Sequence, residues 1–429
     1  MKTSSPQAHY DIVIIGGGLV GASLACALQA AIDSMRTGRR EQPLRVLVTE
    51  AAAHVDSSPS FDARSTALSY GSQRIYQRLG LWDQLAPHAT PIQHIHVSDR
   101  GHFGAVRLDS EFMNVGALGQ VIENRHLGET LMQALTAAPD IDYLCPATIV
   151  SAHHAPAGMT LVVATPEQEK EKDQKETREI SASLVVLADG GKSTLCQQLG
   201  IGMRQEHYGQ KAIIANVAFE KPHDNVAYER FTDSGPLAVL PLATLKGDHR
   251  GALIWTLTHE DADATIGLSD DDFLAALQER FGHRLGMFEK VGRRASYPLS
   301  LTVAQEQVRP GLVLLGNVAH TLHPVAGQGL NLALRDAESL AGLIMENCGD
   351  ETVSPGAMSV LQRFVSSQQT DQNLTIDFSH YMTRLFSSTN PGLVWARKFG
   401  MFSVDLLPVV KRGFARQAMG MGERRAAGC

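Results

Sequence analysis

The 429-residue sequence predicts an α/β fold of two interleaved domains, one with a mostly parallel sheet and one with a mainly antiparallel sheet. Three observations predict it. Short continuous apolar runs recur near residues 10, 45, 185 and 313, as in strands buried on both faces of a parallel sheet. A glycine turn and a helical stretch follow the first run, in the order of a strand–helix–strand unit. From about 208 to 296 the pattern changes to alternating stretches, which suit antiparallel strands with one wetter face.

Each element follows from its residues. Tyr10 to Ile15 (YDIVII) reads as the first buried strand, and Ala22 to Ala31 has helical composition. Residues 35–43 are polar and turn-rich, a surface excursion before the second strand, Leu44 to Thr49. Arg125 to Leu135 places Leu127, Leu131, Met132 and Leu135 on one helical face. The charge run Thr165 to Thr177 lies between two strand-like stretches and reads as a solvated hairpin loop. Ser183 to Ala188 and Leu312 to Leu315 return to the buried-strand type, and a long helix is expected from about Gly329 to Asn347. The first domain's style thus reappears late, so the chain weaves between its domains. The expected division is 1–93, 119–207 and 297–375 for the parallel-sheet domain, 94–118 and 208–296 for the antiparallel one, and 376–429 for a C-terminal helical segment.

Composition narrows the function. A net charge of −7 and pI near 6.2 do not suggest a nucleic-acid partner. Five scattered cysteines without a C-x-x-C pair fit a reducing compartment, and no His or Cys stands at metal-ligand spacing, so no metal site is expected. No run of eighteen apolar residues is present, so no membrane-spanning helix is expected. A cytoplasmic location follows.

Gly16-Gly17-Gly18-Leu19-Val20-Gly21 is a G-x-G-x-x-G directly after a buried strand. Gly16 permits the tight turn, Gly18 lets backbone approach a pyrophosphate, and Gly21 lets helix and strand pack closely. The helix N-terminus adds free N–H groups and about half a positive charge. Glu50, at the end of the second strand, is placed to accept hydrogen bonds from ribose hydroxyls. This is the only such unit with the right context, so a single dinucleotide is expected. A second constellation runs through Asn317, Pro324, Gly327, Gly329, Leu330, Asn331 and Asp336. Its glycines open another helix, whose backbone donors suit an anionic ring system.

With Ala188-Asp189-Gly190 between them, these motifs stand in the order found in group A flavoprotein hydroxylases, and the chain resembles that family from about Tyr10 to Asn347. Within it, the match is similar to the ubiquinone-biosynthesis type, the 2-polyprenyl-6-methoxyphenol hydroxylases. FDARSTALS (61–69), VIENRHL (121–127), SGPLAVLPL (234–242) and TLHPVAGQGLNLALRD (321–336) carry that likeness. The resemblance implies a Rossmann-like FAD-binding domain interleaved with an antiparallel substrate domain, as in p-hydroxybenzoate hydroxylase. It implies non-covalent FAD, NADH or NADPH as co-substrate, and O₂ as the oxygen donor through a C4a-hydroperoxyflavin. The substrate implied is a polyprenylated phenol. Gly16, Gly18, Gly21 and Glu50 would hold the ADP part of FAD. Asp189 would lie near the flavin, and Asn317, Pro324, Gly327, Gly329, Leu330 and Asn331 would hold the ribityl chain and isoalloxazine. Arg64 and Arg125 would contact the flavin or its phosphates. No catalytic side chain is assigned.

Two positions depart from the family pattern: Asn317 stands where many relatives have Asp, and Cys196 where an Arg is common. Two other readings fit the same motifs. One is a FAD-dependent reductase or oxidase of the same fold, the other a non-catalytic FAD-binding subunit of a biosynthetic complex.

The stretch from Gly392 to Arg425 carries seven Lys or Arg against two acids, interleaved with Trp395, Phe399 and Phe402. A basic, aromatic-bearing segment suits the inner face of the cytoplasmic membrane or other ubiquinone-pathway proteins. The flavin site is expected to stand without it. The competing expectation is a helix docked on the protein's own FAD domain.

Overall fold

The computed structural model describes residues 8–36, 44–53, 64–101, 105–156, 158–166, 175–324, 327–347, 353–387, 403 and 405–421. Strand β1 (His9–Ile15) forms where expected. Ile12, Val13 and Ile14 are fully buried, because both faces of the strand are covered. It pairs in parallel with β2 (Val46–Thr49) and with β11 (Lys175–Leu187). Beyond β2 lies β8 (Ile141–Leu144), and beyond β11 lies β19 (Leu312–Leu314), both parallel. The short β18 (Val308–Arg309) closes that edge antiparallel to β19. Strands β9 (Thr148–Ala155) and β10 (Gly158–Pro166) form an antiparallel flap against β11. Pro166 pairs with Lys175, so the middle of the charge run joins two ladder partners; residues 167–174 lie outside the described set.

One face of this sheet carries the helices Leu19–Arg36, Asn124–Ala137 and Gln328–Asn347. Leu24, Leu28, Leu127, Leu131, Leu334 and Leu340 meet there in one core. The helix Met358–Ser387 adds Leu361 and Phe364. The other face is covered by the flap through Ile149, Leu161 and Val163.

The second sheet has the order β20 (His320–Thr321), β17 (Ala295–Ala304), β12 (Met203–Phe219), β15 (Asp248–Thr258), β14 (Gly235–Leu245), β13 (Val226–Thr232), β5 (His94–Asp99), β6 (Ala105–Asp109). A further strand, β16 (Phe288–Val291), pairs with the end of β12. All neighbours are antiparallel except β13 and β5. The strands from Met203 to Ala304 and the pair at His320–Thr321 extend this sheet past the expected limits of 208 and 296.

Alternation decides what each face does. Ile213, Val217, Leu237, Leu253 and Trp255 point outward and pack against the helices His259–Ile266 and Asp270–Phe281. Ser269 caps the second helix, its hydroxyl accepting from the Asp272 N–H at 3.1 Å. The intervening residues face the first domain. A three-stranded sheet of β3 (Ser65–Ser69), β7 (Gly119–Glu123) and β4 (Ala89–Ile92) lies between the two, where Val121 and Ile92 pack on Ala252 and Leu242.

The helix Pro408–Ala418 docks on the chain itself, with Ala415 and the following Met419 buried against Val97, Leu108 and Phe231. Trp395, Phe399 and Phe402 lie outside the described residues. Among the described residues no helix is long and apolar enough to cross a membrane.

Candidate cofactor and substrate site

The glycine turn is as tight as its sequence requires. Gly16 sits at φ +107°, and an ideal Cβ there would lie 2.4 Å from the Ala188 carbonyl oxygen. A Cβ on Gly21 would lie 1.9 Å from the Gly16 carbonyl oxygen, so helix and strand approach more closely than any side chain allows. Gly18 opens the helix, and its carbonyl accepts from the Ala22 N–H at 2.9 Å. Glu50 is beside this turn, but its side chain is already engaged. Oε2 accepts from the Gly17 N–H at 2.8 Å and Oε1 from the Ala52 N–H at 2.9 Å. Glu50 therefore braces the glycine turn.

The other two motifs close on the same point. Asp189 is exposed at the end of β11, next to Gly190 at φ +92°. Gly316, at φ +74°, leaves room for Val20 of the first helix, which would stand 3.1 Å from a Cβ. A Cβ on Gly191 would come 3.0 Å from the Thr321 hydroxyl and within 4 Å of Asn317. Asn317 is exposed on a single 3₁₀ turn, and its carbonyl accepts from the Thr321 hydroxyl at 2.9 Å. Three segments about 170 and 130 residues apart in the chain thus share one end of the parallel sheet, the place where an open α/β sheet takes its ligand.

Pro324 and Gly327 stand just ahead of the helix Gln328–Asn347. The Gly327 N–H donates to the Pro324 carbonyl at 3.0 Å, and Gly327 holds φ +59°. Gly329 faces open space within 4 Å of its Cβ position, and Leu330 packs half-buried on the helical core. Asn331 is 1% exposed and fully used by the protein. Its amide donates to the Ala67 and Gly327 carbonyls, both at 2.8 Å, and accepts from the Ser69 N–H at 2.8 Å and the Ser72 hydroxyl at 2.7 Å. It fastens the helix to β3 and leaves no side-chain donor for a ligand.

Arg64 and Arg125 meet at one end of the small sheet, where the Asn124 N–H donates to the Arg64 carbonyl at 2.7 Å. The Arg64 guanidinium lies over the Tyr297 ring at 5.3 Å, while the Arg125 side chain is about half exposed beside Glu123.

The structure adds residues that the sequence reading did not single out. The inward face of the large sheet carries Ile214, Ala238, Leu240, Ile254 and Tyr297, all half-buried. Alternation in KAIIANVAFE and GALIWTLT contains this signal, since every second residue shares a face. Tyr208, His323 and His380 form a second group, with the Tyr208 hydroxyl 3.0 Å from His380 Nδ1 and its ring edge-on to His323 at 5.4 Å. The C-terminus also reaches the site. Gly71 donates to the Met419 carbonyl at 2.9 Å and Gln328 Nε2 to the Ala418 carbonyl at 3.4 Å. At the level of contacts, the nucleotide site does not stand apart from the C-terminal segment.

Residues 9–353 match the family model described as "FAD binding domain". The chain belongs to that family. Among relatives in this family, the chain is 32% identical to the ubiquinone hydroxylase UbiL of Rhodospirillum rubrum, over 97% of this chain and 91% of that protein. It is 29% identical to the 3-demethoxyubiquinol 3-hydroxylase of Escherichia coli, over 96% and 98%. The fold is also that of p-nitrophenol 4-monooxygenase PnpA from Pseudomonas putida, with a TM-score of 0.75 at 17% identity, covering 98% of this chain and all of that one. FAD is accordingly the group to test against the site, and the residues present fit it. Gly16 and Gly21 leave no room for a Cβ against the Ala188 and Gly16 carbonyls, which draws the N-terminus of the first helix tightly onto the sheet, and Gly329 leaves open space at the start of the helix Gln328–Asn347. Among the described residues no cluster of His, Cys, Asp or Glu is arranged to hold a metal.

Proposed function

We propose that this protein hydroxylates the aromatic ring of a polyprenylated phenol in ubiquinone biosynthesis, using NADH or NADPH and O₂. One observation carries the reading beyond the family. The sheet face turned toward the FAD motifs is apolar and only half-buried at Ile214, Leu240, Ile254 and Tyr297. Such a face suits an aromatic ring with a hydrocarbon tail, which would gain about 25 cal/mol for each Å² of apolar surface removed from water. Bound FAD supplies the electron transfer and oxygen activation. The protein's own contribution is positional. Gly16, Gly18 and Gly21 would admit the pyrophosphate, Glu50 braces the turn, and Asp189, Asn317, Pro324, Gly327, Gly329 and Leu330 would hold the ribityl and ring end. Arg64, held over Tyr297, places a cation between the cofactor end and the substrate wall. The apolar wall keeps water from the reacting carbon.

The reaction balances as phenol, O₂, NAD(P)H and a proton giving hydroxylated phenol, water and NAD(P)⁺. The test uses FAD-loaded protein with 2-farnesylphenol, each nicotinamide cofactor and isotopically heavy O₂. The expected product carries one heavy oxygen. Turnover without O₂ would instead indicate a reductase, and no turnover with any donor would indicate a non-catalytic subunit.

The same reading places the protein on the inner face of the cytoplasmic membrane, where a prenylated substrate resides, in contact with other proteins of the pathway. Support comes from Leu406, Leu407, Val409 and Val410, exposed together beside Arg412 and Arg416. An apolar patch with neighbouring bases matches an anionic lipid surface.

A further inference from the structure

We propose that Arg107, Arg230 and Arg284 form a binding site for a phosphate group above His96, on the outer face of the antiparallel sheet. The site is independent of the phenol reading, because this face points away from the flavin motifs. Strand register builds it. β5 places His96 between Tyr228 of β13 and Arg107 of β6, and one row further on Arg230 stands opposite Ser98. Tyr228 and Arg230 pair with Val239 and Leu237, so they share the outward face. The Tyr228 ring lies edge-on to Phe281 at 5.6 Å, at the end of the helix Asp270–Phe281. The chain just past that helix approaches the strands, where Arg230 Nη1 is 3.9 Å from the Cβ position of Gly282.

The groups gathered here lack partners. His96 is only 8% exposed, yet neither of its ring nitrogens has a hydrogen-bond partner, and Arg230 Nε is buried and unpartnered as well. Buried polar atoms are nearly always satisfied, so each of these asks for a group that the chain does not supply. The nearby acids are engaged: Asp233 with Arg280, Glu279 with Arg100 at 3.0 Å, Asp109 with His94 at 2.8 Å, and Asp405 with Lys411 at 3.4 Å. Arg107 reaches Asp405 only at 3.9 Å. Burial, followed by Arg284 and Arg100, lowers the Arg230 pKa, and Asp99 offsets them only in part. Burial, followed by Arg284 and Arg107 and then Arg230, pushes His96 down to about 4. Like charges are thus held together around a neutral imidazole, an arrangement that an anion would relieve.

The chemistry selects phosphate. Guanidinium forks match the oxygens of a carboxylate or a phosphate in pairs, but three of them exceed the charge of one carboxylate and suit a phosphate dianion. Neutral His96 can donate one ring N–H, which adds a bond without adding charge. Arg284 is exposed and the Arg107 side chain is 62% exposed, so the rim is reachable from solvent while His96 forms the floor. Two sources share this chemistry: a free phosphate or small phosphate ester, and the headgroup of an anionic lipid. The second is within reach because Asp405, beside Arg107, is followed directly by the exposed Leu406 and Leu407.

The test uses FAD-loaded protein, so that the glycine turn is already filled, and inorganic phosphate at an ionic strength held constant with sodium chloride. Wild type, Arg284→Gln and the double variant Arg230→Gln, Arg284→Gln are compared by calorimetric titration. Phosphate should bind the wild type about tenfold more tightly than Arg284→Gln, the worth of one charge-assisted hydrogen bond, and the double variant more weakly still. Arg284→Lys, which keeps the charge without the fork, should fall between wild type and Arg284→Gln. Because Arg284 is exposed, its substitution should leave melting temperature and FAD content unchanged. A second arm measures sedimentation with phosphatidylcholine vesicles, with and without phosphatidic acid. Greater retention of wild type than of the double variant on phosphatidic acid, reversed by inorganic phosphate, identifies a lipid headgroup as the source. Phosphate affinity that depends on Arg284 without any such difference on vesicles identifies a free phosphate or small ester. A wild type that binds phosphate no more tightly than Arg284→Gln, and sediments no better than the double variant, overturns the site.

Discussion

Glu50 Oε2 accepts a hydrogen bond from the Gly17 backbone N–H at 2.8 Å, so this acid, expected to meet a ribose, holds the glycine turn in shape. Its removal should therefore cost more than a ribose contact alone. A bond to a charged acceptor is worth about 1.5–3 kcal/mol, so Glu50→Ala should weaken FAD binding by about tenfold or more. Glu50→Gln, which keeps an acceptor for Gly17, should lose less. Gly21→Ala should be more severe than either, because its Cβ would sit 1.9 Å from the Gly16 carbonyl oxygen. Titration of apoprotein with FAD, followed by flavin fluorescence, measures all three. Equal losses for Glu50→Ala and Glu50→Gln would mean that the brace contributes nothing.

Asn331 joins two elements through four hydrogen bonds. Asn331→Ala would strand the Ser69 N–H and the Ser72 hydroxyl in the interior, at about 1–3 kcal/mol for each unsatisfied group. The expected result is a lower urea midpoint in the apoprotein, before any FAD is added. Loss of FAD affinity with an unchanged apoprotein midpoint would show instead that Asn331 acts on the ligand.

The sequence makes the parallel sheet legible because both of its faces are buried, so β1 and β2 are continuous apolar runs, and because Gly16 and Gly21 stand where backbone carbonyls leave no room for a Cβ. Half of the site is less visible. Asn331 meets Ser69 across 262 positions, and nothing local distinguishes an amide that binds a flavin from one that clasps a strand. Tyr208 is hidden for a different reason. A bulge leaves two residues without ladder partners, and nothing in the local alternation marks where the ladder breaks. The chamber wall at Ile214 and Ile254 was within reach of alternation alone, but its inward direction depends on which face the helices His259–Ile266 and Asp270–Phe281 cover.

Two histidines give the fold an acid-sensitive stability. Burial pushes His323 down to about 4, and burial together with Arg284, Arg107 and Arg230 does the same to His96. Both rings are neutral in the folded protein, while the unfolded chain protonates them near 6.5. Unfolding therefore takes up protons between about pH 6.5 and about pH 4. The stability is fully present above that window and is lost as pH falls through it. At about 1.4 kcal/mol per pKa unit, His323 alone is worth on the order of 3 kcal/mol. Urea midpoints measured across the window should decline toward acid, and His96→Phe, which leaves an aromatic ring beside Tyr228, should make the decline shallower. A His96→Phe protein with the wild-type slope would remove His96 from this account.

Separate variants can test the inner and outer faces of the helix Pro408–Ala418. Its inner end holds the site, through Met419 to Gly71 and Ala418 to Gln328, and Gly420 lies against Ser69 and Arg335. Its outer face presents Val409, 83% exposed, with Val410 and Arg412. A chain ending at Ser387 should consequently retain less FAD and melt at lower temperature than the full chain, because Gly71 and Gln328 lose their partners and Val97, Leu108 and Phe231 lose their cover. The double substitution Val409→Glu, Val410→Glu should leave FAD content and melting unchanged, since neither side chain is buried. It should abolish sedimentation with vesicles of mixed phosphatidylglycerol and phosphatidylcholine. Each base near such a surface contributes about 1 kcal/mol, so raising the salt should also release the wild type, the electrostatic part being screened. If the doubly substituted protein sediments as the wild type does, the outer face is not the lipid contact. If the chain ending at Ser387 keeps its full FAD content and melting temperature, the inner contacts do not support the site.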